Sequence, residues 1–352
     1  RGARRFLAHE SRSKYTLFQR KWQGYLKKTA YFWLIICFFV YLHPFFQREE
    51  SFVSLYKRYA REKWVNMAWY LHNKELGLNN KEQDIFMDKK IKALFFDIDG
   101  TLVSFKTHRI PQSTVDALEQ AKKNGVEVYI STGRPKQIIN NLGQIEHLID
   151  GYITANGARC FVEDTLVSQH AILPSDVKKI IEAADRDNYP AIVVSESRFA
   201  IHHYTDEVYE IFCKGLGVDS SIFITDVDAL GDEAILQVTP FCTVEQEALL
   251  MPTLENCTSG RWHPAFTDIT AHGADKGKGL QAMADYLGLN IEETMAFGDG
   301  GNDISIIKEA GVGVAMGNAG DELKQVADYI TTHVDEDGVK NALIKYGVIA
   351  EN

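Results

Sequence analysis

Asp97 and Asp99, in Phe96-Asp97-Ile98-Asp99-Gly100-Thr101, place two carboxylates directly after the apolar run Ala93 to Phe96. The run has the length and composition of a buried strand, and the glycine marks a turn. A carboxylate at such a strand end can act as a nucleophile, and a second one beside it can protonate a leaving group and then deprotonate water. On its own, Asp-x-Asp-Gly is equally well a polar turn. A later stretch, Gly298-Asp299-Gly300-Gly301-Asn302-Asp303, follows the apolar run Thr294 to Phe297 and contributes Asp299 and Asp303. Four carboxylates in one crevice repel one another unless a cation sits among them. Oxygen ligands with no nearby His or Cys select a hard ion, and Mg²⁺ is the expected cofactor. Lys276 and the hydroxyl of Thr132 add the donors that a phosphoryl group needs in its transition state.

Elements of alternating type must bring these residues together. From Met87 onward the pattern runs strand, helix, strand. Ser113 is the expected N-cap of a helix, with Asp116 three residues on, and Lys122, Lys123 and Gly125 close it. Val126 to Ile130 then reads as a strand ending in Ser131-Thr132-Gly133-Arg134, and Gly151 to Ala155 as another, ending in Asn156-Gly157. A crossover helix between strands implies parallel pairing, and ligands of open parallel sheets lie outside the carboxyl ends of the strands. Motifs roughly 200 residues apart therefore converge.

Between 170 and 260 the texture changes to a helix, an expected hairpin of Ala191 to Ser195 with Arg198 to His203, and further short elements. This suggests an α+β insert up to 260, with the core taken up again from 261 and the parallel pattern resuming near Ala265. His202 and His203 are adjacent on a strand and are expected on opposite faces, so they should not share an ion. Glu196, Arg198, His202, Arg261 and His263 are polar positions that suit a small hydroxylated phosphate.

The net charge of -10 argues against nucleic acid as the main partner. Five cysteines are scattered without metal-ligand spacing, as expected of reduced structural thiols in a cytoplasmic protein. Residues 1–86 stand apart: a basic stretch to Lys28, then an uncharged aromatic run over 30–46. That run is short for a membrane span. It is read either as an anchor with its basic flank in the cytoplasm, as a partner-binding extension, or as a segment outside the native protein, with Met87 as a natural start.

Taken in order, FDIDGTLV, STGR, DKGKG and GDGGNDISII resemble the four motifs of the haloacid dehalogenase superfamily of phosphohydrolases. The insert between the second and third resembles the Cof-type subfamily. The resemblance covers about Lys92 to Val348. It implies a Rossmann-like α/β core, a parallel sheet with helices on both faces, formed by 87–169 and 261–352, and an α+β cap formed by 170–260. It also implies a Mg²⁺-dependent phosphatase of small phosphorylated metabolites, sugar phosphates above all. By resemblance Asp97 is the nucleophile and Asp99 the general acid and base. Thr132, Gly133, Lys276 and Asn302 bind phosphate, and Asp97, the Asp99 carbonyl and Asp299 hold the metal. Asp303, Arg134 and Asn156 support them.

Each residue also has a plainer reading: Thr132 as a helix cap, Lys276 as a solvated helix-start lysine, Asp303 as a helix N-terminal carboxylate, Arg134 as a structural ion pair. The related P-type ATPases carry threonine where this chain has Asp99, so a carboxylate there favours hydrolysis of the phosphoenzyme. Phosphotransferase or phosphomutase chemistry is the alternative enzyme reading. A non-catalytic phosphate- or metal-sensing module tethered by residues 30–46 is the alternative outside enzymes.

Overall fold

The computed structural model describes residues 90–351. The expectations for residues 1–86, the anchor at 30–46 included, lie outside the described residues. Among the described residues no helix is long and apolar enough to cross a membrane.

Two sheets organise the chain. The first contains β1 (Ala93–Phe96), β2 (Glu127–Ser131), β3 (Gly151–Thr154), β4 (Arg159–Val162) and β5 (Thr165–Gln169). The second contains β6 (Ala191–Ser195), β7 (Phe199–His202), β8 (Phe223–Ile224), β9 (Ile235–Pro240), β10 (Cys257–His263) and β11 (Phe266–Ala271). The chain then returns to the first sheet with β12 (Thr294–Gly298), β13 (Val312–Ala315) and β14 (Tyr329–Ile330). The order in the first sheet is β14-β13-β12-β1-β2-β3-β4-β5, and in the second β10-β11-β9-β6-β7-β8.

The first sheet is parallel from β14 to β3, and an antiparallel hairpin finishes its edge. Its central strands read as unbroken apolar runs because both faces are buried. Leu94, Phe96, Val128, Ile130 and Phe297 pack on one face with Val115 and Leu118 of helix Gln112–Lys123 and with Leu343 of helix Gly338–Lys345. Phe95, Tyr129 and Ala296 pack on the other with Leu280 and Met283 of helix Lys276–Leu287 and with Ile306 and Ile307 of helix Ile304–Glu309. Successive residues of β1 thus feed opposite cores. The Phe96 and Phe297 rings stack at 4.6 Å on one side, and Phe95 and Tyr129 at 5.0 Å on the other.

Register decides where the polar turns fall. Phe96 is level with both Phe297 and Ile130, and Gly298 with Ala315. The residues that follow these strand ends therefore emerge along one rim. Chain order runs outward from β1 in both directions, so β1 and β12 flank the switch point where open α/β sheets form a crevice.

Two local expectations are corrected. Ser113 is not the N-cap: the helix begins at Gln112, and Pro111 precedes it with φ of -56°, its carbonyl accepting from the Thr114 and Val115 amides. The return to the first sheet is also not at 261. β10 and β11 form an antiparallel pair, and β11 lies against β9, so both belong to the second sheet. β11 is internal and every residue of it is buried, the polar Thr267, Asp268 and Thr270 included.

The second sheet is antiparallel apart from the β7–β8 pair. One face, with Val193 and Val238, packs on Ile180 and Ala184 of helix Pro174–Asp187 and Leu250 of helix Val244–Leu250. The other clusters Ile192, Val194, Phe199 and Phe266 with Ile138, which follows the β2 turn in the first part of the chain. The Thr243–Gln246 capping box is formed as expected.

Candidate active site

Asp97 leaves β1 with its amide bonded to the Phe297 carbonyl, so the β12 neighbour fixes its backbone. Its side chain is buried, and Oδ1 accepts from Lys276 Nζ at 2.7 Å. Lys276, the first residue of its helix, is only 1% exposed, which rules out the solvated-lysine reading. The same ammonium donates to Asp303 Oδ1 at 2.6 Å. Asp303 Oδ2 in turn accepts from the Asp299 and Gly300 amides at 3.0 and 2.9 Å. Asp303 therefore ties the loop after β12 to the lysine from the neighbouring helix.

Carboxylate oxygens of Asp97, Asp299 and Asp303 lie within 4.8 Å of one another. Burial pushes Asp97 well above the ordinary carboxylate range; Lys276 opposes the rise, and Asp303 and Asp299 add to it. Burial likewise lifts Asp299 to about 7, reinforced by Asp303 and resisted by Thr101 and Lys276. Burial acts against the charge on Lys276, but Asp303 and Asp97 outweigh it and hold its pKa above the ordinary lysine value.

Asp99 stands apart from that cluster. Both its oxygens are taken by the Arg134 guanidinium, Nε to Oδ2 at 2.7 Å and the second arm to Oδ1 at 2.9 Å, while Arg134 also donates to the Ile138 carbonyl. The ion-pair reading of Arg134 is the one the geometry shows. Gly100, which follows, has φ of +88°, and a Cβ there would collide with Asp299 Oδ2, so the turn between the two acidic motifs requires glycine.

Thr132 is buried at the end of β2 and its Oγ1 accepts from the Arg134 amide, a local turn bond rather than a cap on a following α-helix. Asn156 sits in the left-handed region at φ 54° and accepts through Oδ1 from Asn302 Nδ2 at 3.0 Å. Gly133 lies against both side chains. Asn302 is thus held by Asn156, and Asp303 is the residue that engages Lys276. Asp97, Asp99, Thr132, Gly133, Arg134, Asp299 and Asn302 line one cavity of about 680 Å³, together with residues of the second sheet.

Two partners were not singled out by sequence. Thr101 Oγ1 donates to Asp299 Oδ1 at 3.2 Å. Asn318 donates to Asp299 Oδ2 and to the Gly100 carbonyl, and accepts from the Val334 amide. Thr101 was visible within the first motif. Asn318 follows β13 at the same rim, so the strand-end rule applied to that strand also points to it.

The histidine pair departs from expectation. His203 has φ of 56°, which turns its ring to the side of His202; the rings stack at 4.0 Å. Both reach Asp185 Oδ1, at 2.8 and 3.3 Å. Period-two alternation fails because the strand ends at His202. Of the other polar positions in the second sheet, Arg198 pairs with Glu233 and Arg261 with Glu247. His263 stacks on Phe266. Neither these nor Glu196 and His202 line the cavity.

A family model described as haloacid dehalogenase-like hydrolase matches residues 94–343. The chain is 31% identical over 268 residues to the putative phosphatase YkrA of Bacillus subtilis strain 168, covering 75% of this chain and 100% of that protein. It is 29% identical over 275 residues to the 5-amino-6-(5-phospho-D-ribitylamino)uracil phosphatase YitU of the same organism, covering 74% and 99%. Among solved structures, the HAD subclass IIB sugar phosphatase BT4131 superposes with a TM-score of 0.69 at 45% identity, covering 73% of this chain and 100% of the other.

Proposed function

Because the chain belongs to the haloacid dehalogenase-like hydrolase family, we propose that it is a Mg²⁺-dependent phosphatase of small hydroxylated phosphate esters that works through an aspartyl-phosphate on Asp97. The observation that carries this reading is the buried cluster of Asp97, Asp299 and Asp303 around Lys276. Three carboxylates facing one ammonium leave two negative charges uncompensated, the charge of one divalent cation. An all-oxygen donor set suits Mg²⁺. Asp97 and Asp299, with the Asp99 carbonyl, are the proposed ligands. Bound there, the ion would supply charge stabilisation at the phosphoryl oxygens.

The residues of the chain do the rest. Lys276 fixes one Asp97 oxygen, leaving the other for attack on phosphorus, and its ammonium offsets charge that gathers on the transferred group. Thr132 and Gly133 border the cavity where their hydroxyl and amide donors can hold phosphoryl oxygens. Asp99 protonates the departing alcohol, then takes a proton from the water that releases phosphate from Asp97. Both Asp99 oxygens are engaged by Arg134, so proton transfer requires Asp99 to turn away from that fork. The second sheet serves as the cap that covers the site and sets the leaving group.

The relatives that carry a named substrate act on phosphate esters of polyhydroxylated molecules, which supports the substrate class. The test is release of inorganic phosphate from a panel of sugar and sugar-alcohol phosphates. Release is expected with Mg²⁺ and its loss on adding EDTA. No release from any member with Mg²⁺ present would defeat the reading.

A further inference from the structure

The cavity that holds the acidic cluster is also lined by Val194, Phe199, Gln237 and Asp268 of the second sheet. Val194 and Phe199 are apolar and belong to the buried cluster on that face of the sheet. Gln237 and Asp268 interrupt it. They lie on the internal strands β9 and β11 and are 4% and 5% exposed.

Their polar atoms are ordered by a short chain of hydrogen bonds. Thr239 Oγ1 donates to Asp268 Oδ1 at 2.7 Å. The hydroxyl proton is thereby committed, and the Thr239 oxygen can only accept. Gln237 must then present its amide nitrogen to Thr239, as it does at 3.0 Å, and this fixes which way the amide faces. Gln237 Oε1 is left buried with no hydrogen-bond partner in the protein. A buried unpaired carbonyl destabilises the fold, so an apolar side chain would suit the folded chain better.

We propose that Gln237 Oε1 and Asp268, oriented through Thr239, form a leaving-group subsite that accepts hydrogen bonds from a hydroxyl or amino group on the part of the substrate remote from its phosphate. The subsite rests on the phosphatase reading and adds to it the residues that choose the substrate. Gln237 and Asp268 offer acceptors, so they favour donor-bearing leaving groups and leave an alkyl chain facing the unpaired Gln237 carbonyl. Thr239 does not line the cavity and acts as a positioning residue.

The test compares a hexitol phosphate with n-hexyl phosphate, which matches its carbon number and carries no donor. In the wild type, kcat/KM is expected to favour the hexitol ester by about tenfold to a hundredfold. Gln237→Met is expected to lower that ratio by about tenfold or more. Thr239→Val should lower it as well, whereas Thr239→Ser, which restores the hydroxyl, should keep the wild-type ratio. If Gln237→Met fails to fold, the two Thr239 variants carry the comparison. A ratio unmoved by Gln237→Met and Thr239→Val, or a wild type that prefers the alkyl ester, overturns the subsite while leaving the phosphatase reading intact. Absence of phosphate release from both esters and from p-nitrophenyl phosphate overturns that reading and the subsite with it.

Discussion

At Asp97 two demands compete under the proposed mechanism, since a carboxylate that attacks phosphorus must be ionised and yet this one is buried among other carboxylates. Burial raises Asp97 well above its ordinary range and Asp299 to about 7, so the folded protein without a cation holds protons that the unfolded chain releases. The stability tied to those protons is present at low pH and is lost as pH rises through about 7. A divalent cation takes the place of the protons and removes the loss. Thermal melting in EDTA is therefore expected to fall between about pH 5 and about pH 8, and Mg²⁺ to raise the melting temperature more at the higher pH. An equal Mg²⁺ effect at both would contradict the cluster as the cation site. The carboxylates at this site were legible in the sequence because they follow the apolar strands β1 and β12. Their pairing was not: whether Lys276 is solvated or wedged between Asp97 and Asp303 depends on how its helix seats on the sheet.

Elements show where reading by period succeeds and where it stops. The central parallel strands of the first sheet were visible because two-sided burial makes them short, apolar runs, whereas the more exposed edge hairpin of β4 and β5 was not read. β11 offered no such run, since Thr267, Asp268 and Thr270 make half of it polar, and its place in the second sheet is fixed by pairing with β9 and β10. Alternation failed at His203, where a left-handed residue ends the pattern. A further buried polar residue escaped notice entirely. Asp176, in the first turn of helix Pro174–Asp187, is fully buried and accepts from the Glu255 and Asn256 amides at 3.0 Å, joining the helix to the loop before β10. Burial opposes its charge, but those amides and Lys179 outweigh it and hold the carboxyl below its ordinary range. Asp176→Ala would remove the carboxylate that accepts from the part-buried Glu255 and Asn256 amides, at a cost of about 1–3 kcal/mol in chemical denaturation. A loss below about 0.5 kcal/mol, the usual size of a surface effect, would show that this junction contributes little.

For the molecule as a whole, the candidate active-site cavity has contributions from both sheets: the loops of the first supply Asp97, Asp99 and Asp299, and the second supplies Gln237 and Asp268. The family match begins at residue 94, and the described fold at 90. A fragment spanning 87–352 is accordingly expected to release phosphate at a rate within about twofold of the full chain, and an inactive or insoluble fragment would show that the first 86 residues are required. In the proposed mechanism Asp97 carries the phosphoryl group and Asp99 promotes its release. With p-nitrophenyl phosphate, whose phenolate leaves without protonation, Asp99→Asn should still form the intermediate but slow its hydrolysis by about 10²–10⁴-fold, so that the intermediate accumulates. The direct measurement is acid quench of Asp99→Asn during turnover with Mg²⁺, followed by mass spectrometry of the peptide that contains Asp97. A phosphate adduct on Asp97, absent from the Asp97→Asn/Asp99→Asn double variant, is the predicted result; phosphate release that persists undiminished in Asp97→Asn, with no adduct formed in either variant, would contradict it.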